Sequence, residues 1–132
     1  MSQENVTLTQ NIYEAFGRGD MAPFLGAMDP NVEWHEPGGP GYPYPGVHQG
    51  VQGVLGEVFG QVPSLYEEFN LASRDFVDAG DRVIVLGDFY GKAKTSGTSF
   101  QVPFVHIFTY RDGKCVHYQN YTDSGTIAAA LK

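Results

Sequence analysis

The spacing of apolar residues changes period near residue 64. Before it, apolar side chains recur every three or four positions; after it, they alternate with polar ones. Leu8, Ile12 and Ala15/Phe16 predict a first helix over Gln3–Phe16, with Gly17 as its left-handed stop. Asp20 is placed to N-cap a short second helix, Met21–Met28, whose Pro23 falls in the tolerated first turn. Asp29-Pro30 breaks that helix and launches a strand, Val32–Glu36, which Pro37 ends. Val51, Val54, Leu55, Val58, Phe59 and Val62 predict a third helix. Its interior Gly53, Gly56 and Gly60 each cost about 1 kcal/mol against alanine, so burial of the apolar stripe must hold it.

From Ser64 onward, strands are predicted near Leu65–Phe76, Arg82–Lys92, Phe100–Tyr110 and Lys114–Thr122. Asp78–Asp81 and Arg111-Asp-Gly-Lys114 read as turns, the second a hairpin, and the Thr95–Ser99 tract makes another. Asp123 or Ser124 caps a closing helix, Gly125–Leu131. The expected fold is α+β, a cone-shaped α+β barrel: three N-terminal helices packed on a strongly curved, mostly antiparallel sheet with a central cavity, in one domain over residues 1–132. Pro103, in mid-strand, marks a bulge that helps the sheet bend. The Gly/Pro-dense stretch Gly38–Gln49 is stiffened by Pro40, Pro43 and Pro45 and carries Tyr42 and Tyr44, which fits a rim or lid.

Strand parity organises the chemistry. In Phe100–Tyr110 the even positions are Phe100, Val102, Phe104, His106, Phe108 and Tyr110, an apolar face interrupted by one imidazole. Glu36 shares a face with Val32 and Trp34, and Asn120 shares one with Val116, Tyr118 and Thr122. If these faces meet, Glu36, His106 and Asn120 converge as candidate catalytic groups, with Trp34, Tyr44, Phe59, Phe104, Phe108 and Tyr118 as pocket walls. Desolvation would raise the pKa of Glu36 and suit it to moving protons near neutrality; the alternative is a strand-end carboxylate satisfied by backbone N–H groups or a basic partner. His106, kept neutral by burial, is either a hydrogen-bond donor to a developing oxyanion or a satisfied core histidine.

Charge and composition narrow the partners. The net charge is −7 with no Lys/Arg cluster, which argues against nucleic acid and anionic membrane surfaces. Aromatics reach 14% of the 132 residues, more than a core of this size requires. The single Cys115 excludes an internal disulfide and fits a reducing compartment, and Met1–Val6 has no signal-peptide character, so a cytoplasmic location is expected. His35, His48, His106 and His117 form no short ligand pair along the chain, and no phosphate-cradling glycine motif occurs; neither a metal nor a cofactor is expected.

Five segments together resemble the superfamily of nuclear transport factor two, in its SnoaL-like and ketosteroid-isomerase-like branch. They are Tyr13–Asp20 (YEAFGRGD), Val32–Gly39 (VEWHEPGG), Gly80–Gly87 (GDRVIVLG), Phe104–Lys114 (FVHIFTYRDGK) and Tyr121–Asp123 (YTD). The scaffold hosts isomerases, cyclases, hydrolases, dehydratases and silent binders, so the resemblance implies a fold more than an activity. Ketosteroid isomerases carry their base just before the proline ending the first strand, a position that resembles Glu36. Their oxyanion-hole aspartate position resembles His106, and their tyrosine position falls on Ile12, leaving Tyr13 expected to point elsewhere. Limonene epoxide hydrolases have a catalytic aspartate where Asn120 stands, but their arginine–aspartate partners have no match. The resemblance implies cofactor-free acid–base chemistry on a small hydrophobic carbonyl compound or, alternatively, a non-catalytic ligand-binding or dimerisation module. Val105, Ile107 and Tyr121 on the outer sheet face, with the family's habit, imply a homodimer.

Overall fold

In the computed structural model, which describes residues 2–132, the first helix α1 spans Ser2–Gly17. The left-handed residue that ends it is Gly19 (φ 72°) rather than Gly17, with the Asp20 amide donating back to the Ala15 carbonyl at 2.8 Å. Helix α2 covers Ala22–Ala27, shorter than expected at both ends. The Asp20 carboxylate still accepts from the Ala22 amide at 3.0 Å, and Met28 is already extended.

Strand β1 therefore runs Met28–Glu36 and takes in Asp29-Pro30, where its pairing register shifts between Met28 and Glu33. A proline lacks the N–H that a ladder needs, so the irregularity falls where Pro30 sits. The end of the supposed loop is a short edge strand, β2 (Gly46–Gln49), antiparallel to β1 with Glu36 opposite Gly46. The third helix is broken. Helix α3 (Gly50–Glu57) gives way to a 3-10 turn at Phe59–Gln61 and a single turn α4 (Val62–Leu65). Pro63 cannot donate to the carbonyl four residues back and crowds it, so one continuous helix cannot pass.

Strands β3 (Tyr66–Ala79), β4 (Arg82–Ala93), β5 (Ser99–Arg111) and β6 (Lys114–Thr122) follow, then helix α5 (Ser124–Ala130). They form a six-stranded sheet in the order β2-β1-β6-β5-β4-β3, in which only β1 and β6 run parallel. The sheet is curled but not closed. Register shifts between Ser73 and Asp75 and between Thr109 and Tyr110 bend it, whereas β4 and β5 stay in register through Pro103. The expected bulge at Pro103 is absent for a reason. Its carbonyl accepts the Thr122 hydroxyl at 2.7 Å, on the side where β6 ends, so its missing N–H leaves no ladder bond unmade.

Two glycines shape the concave face. Gly87 pairs with Phe104 and Gly91 with Phe100, and a Cβ at either would lie 2.6 Å or 2.4 Å from the facing ring. The aromatic rings lie over the glycine backbone, which covers it from water. The core is one aromatic-rich cluster between the helices and this face, with Val83, Val85, Val102, Phe104 and Phe108 almost fully buried. No helix among the described residues is long and apolar enough to cross a membrane.

Candidate active site

Glu36, Trp34 and Val32 alternate inward along β1, as parity required. The Glu36 carboxylate is 7% exposed and receives three side-chain donors. The Trp34 indole N–H donates to Oε2 at 2.7 Å, while Oε1 accepts from the Tyr42 hydroxyl at 2.9 Å and the Asn120 Nδ2 at 3.0 Å. Burial raises its pKa, and the three hydrogen bonds act in the opposite direction. Among the described residues no basic side chain forms an ion pair with it. A carboxylate has about four lone-pair sites, so one position on Oε2 stays open. The arrangement is a buried, hydrogen-bonded carboxylate whose pKa burial nonetheless leaves raised.

His106 lies 2% exposed on the same face, in the row Gly87–Phe104 and Val85–His106 of the β4/β5 ladder. Its Nδ1 is 2.5 Å from the Tyr13 hydroxyl. A hydroxyl donating to Nδ1 leaves the ring proton on Nε2, and that atom is buried with no partner. The Oδ1 of Asn120, opposite His106 in the β5/β6 ladder, is also buried and unpartnered. Burial lowers the imidazole pKa to about 3, with the neighbouring Asn120 side chain acting the other way. The ring is neutral. Tyr13 bonds His106 and Asn120 donates to Glu36, while His106 Nε2 and Asn120 Oδ1 between them carry no hydrogen bond.

Tyr13 corrects the expectation that it points elsewhere. It follows Thr9 by four residues and precedes Phe16 by three, so it belongs to an inward stripe wide enough to include Ile12 as well. Both residues line the cavity. That spacing was the available signal. Burial holds the Tyr13 phenol protonated, well above its ordinary pKa.

The cavity at this chain of polar groups has a volume of about 80 Å³. Trp34, Tyr44, Phe59, Phe108 and Tyr118 line it, together with Ile12, Phe16, Phe24, Phe69, Phe89 and Ile127. Trp34 stacks on Tyr118 at 3.6 Å between ring centroids, following their parallel pairing. Phe104 is the exception: it does not line the cavity. With Gly87 opposite, its ring swings into the space a Cβ would fill and stacks under His106 at 3.8 Å. It is the bed of the imidazole rather than a wall.

Tyr42 and Tyr44 roof the site from the segment between β1 and β2, their rings 5.1 Å apart. The His48 Nε2–H donates to the Tyr44 carbonyl at 3.0 Å, and Nδ1 pairs with the Glu57 carboxylate at 2.7 Å, which ties the roof to α3. Gly41 approaches Ala128 of α5 so closely that a Cβ would lie 3.2 Å from it. Asp123 is the N-cap of α5, accepting from the Thr126 amide, and takes no part in the site. Cys115 is buried, its thiol pushed up to about 12, which leaves it unreactive. On the outer face the absence of a short histidine pair in sequence did not keep His35 and His117 apart, because β1 and β6 pair.

The sequence profile of the SnoaL-like domain family matches residues 9–118. No curated protein matches the chain. Among solved structures, an NTF2-like protein of unknown function from Burkholderia pseudomallei is 28% identical with a TM-score of 0.87, the match covering 98% of each chain. TerC, co-crystallised with polyporic acid, is 32% identical with a TM-score of 0.85, covering 97% of this chain and 98% of that one. A putative SnoaL-like polyketide cyclase from Jannaschia sp. CCS1 shares the fold at 18% identity and a TM-score of 0.77, over 98% and 92% of the two chains.

Proposed function

The chain belongs to the SnoaL-like domain family, and we propose that it is a cofactor-free acid–base catalyst, isomerase- or cyclase-like, for a small hydrophobic carbonyl compound. The observation that carries this reading is the unpartnered Nε2 of a buried His106, which bears the ring proton when the Tyr13 hydroxyl donates to Nδ1. A neutral donor aimed into an apolar cavity is suited to a carbonyl oxygen whose charge develops as an enolate. Glu36 takes the proton α to that carbonyl on the open position of Oε2 and returns it to another carbon, so atoms and charge balance without a cofactor. Asn120 holds the carboxylate, and its Oδ1 is free to orient the ligand. The co-crystallisation of TerC with polyporic acid supports a small-molecule ligand in a chain of this kind.

The cavity bounds that ligand. Sites for drug-sized molecules enclose roughly 300–1,000 Å³, several times the 80 Å³ present here. The substrate is therefore small, or the Tyr42/Tyr44 roof moves to admit it. A homodimer through the outer face, where Tyr121 is 57% exposed beside Val105, fits the same reading, and sedimentation of a monomer at micromolar concentration contradicts it.

A second reading has its own observation: three donors saturate most of Glu36, as in a structural carboxylate of a non-catalytic binder. Simple enones titrated against Trp34 fluorescence and assayed for turnover separate the two. The catalytic reading expects Glu36→Gln to keep binding and lose turnover. Binding without turnover in the wild-type chain leaves only the binder.

A further inference from the structure

The outer face of the β1/β6 pair, directly behind the site, carries a second cluster of side chains. Glu33 and His35 lie two residues apart on β1 and so share a face, and the parallel register sets His117 of β6 beside Glu33. His35 and His117 stack with ring centroids 4.5 Å apart and planes 29° apart. The Glu33 Oε1 is 2.7 Å from His35 Nε2, and one ligand-capable atom from each of the three residues lies within 4.8 Å of the other two. All three are half-buried.

We propose that Glu33, His35 and His117 form a binding site for a divalent transition-metal ion of the zinc or cobalt type on the outer face of the sheet. Two imidazole nitrogens and one carboxylate oxygen are a donor set such ions favour, and three protein ligands leave further positions open to water. The rings must turn from their near-parallel stacking for both in-plane lone pairs to reach one ion, a side-chain rotation that moves no strand. Zinc–nitrogen and zinc–oxygen bonds of about 2.0–2.2 Å hold neighbouring ligand atoms somewhat over 3 Å apart. The Glu33–His35 contact then opens by about half an ångström, a side-chain adjustment. The register of a parallel ladder fixes the three Cα positions, which is the preorganisation a metal site needs. Inward of the cluster lies the stacked pair Trp34 and Tyr118, and farther along the same strands Glu36 and Asn120. A bound ion would clamp the strand pair that holds the carboxylate network.

The test uses the full chain, stripped with chelator, and titrates Zn²⁺ alone by calorimetry and Co²⁺ alone by visible absorption. One saturable ion per chain is expected, with a Tm rise on the order of 5–10 °C when zinc is at 100 times its dissociation constant. His117→Ala should weaken binding by at least the roughly 10–100-fold that loss of even a supporting partner causes. Glu33→Gln, more conservative and still able to hydrogen-bond His35, should weaken it too while circular dichroism stays unchanged. Absence of saturable binding overturns the site. So does binding that survives both variants, which would place the ion elsewhere, for instance at His48 and Glu57.

Discussion

The proton on His106 decides what the cavity can do. With the Tyr13 hydroxyl donating to Nδ1 the proton sits on the unpartnered Nε2, and burial lowers the ring's pKa to about 3 and keeps it neutral. Nitrogen-15 NMR should show the Nε2–H form without titration down to about pH 4. A midpoint near 6.5, the ordinary value, would contradict the burial argument. Tyr13→Phe should leave the ring neutral but mix the two tautomers, because nothing then favours an unprotonated Nδ1. His106→Ala should lower turnover by roughly 10²–10³-fold, as for other single oxyanion donors, with smaller change in ligand binding. Glu36, His106 and Asn120 were legible from parity on three strands. Tyr13 was not, because an apolar helix stripe is broad and a residue one step from Ile12 can face the same way.

Two elements control how this site is built and entered. In β4, Gly87 lets the backbone pass under Phe104; an added Cβ would lie 2.4 Å from the Ala72 carbonyl oxygen. Gly87→Ala should therefore destabilise the fold by about 1–3 kcal/mol, read from the urea midpoint, and disturb His106 through its stacked neighbour. The roof segment is coupled to the base, since Tyr42 both covers the cavity and donates to Glu36. Tyr42→Phe should raise the Glu36 pKa further, moving the acidic limb of any pH–rate profile upward, and should speed ligand entry. Long alternating strands were plain in the sequence. The short edge strand β2 and the parallel pairing of β1 with β6 were not, because each depends on partners far along the chain, and the break after Glu57 was hidden by apolar spacing that runs up to Pro63.

For the whole molecule, the buried imidazole sets an acid limit on stability. Its folded pKa lies below its unfolded one, so the unfolded chain binds more protons between about pH 3 and the ordinary 6.5. That contribution is complete above pH 6.5 and falls as pH drops, by up to about 1.4 kcal/mol per unit. Glu36, whose pKa is raised, works the other way: the folded state binds its proton more readily, so its contribution is present at low pH and lost as pH rises through its folded pKa. Urea midpoints between pH 7 and 4 should fall steeply in the wild type and less in His106→Phe. The α+β cone was readable from the change of period and the aromatic surplus. Its inner volume was not, since cavity size follows from how rings such as Phe104 settle over glycines.

Solvent deuterium exchange tests the central claim most directly. A small enone with exchangeable α-protons is incubated with the chain in heavy water near pH 7, and label is followed by proton NMR. Glu36 as base predicts enzyme-dependent exchange at the α-carbon, abolished in Glu36→Gln although the ligand still quenches Trp34. Exchange that continues unchanged in Glu36→Gln would contradict the account.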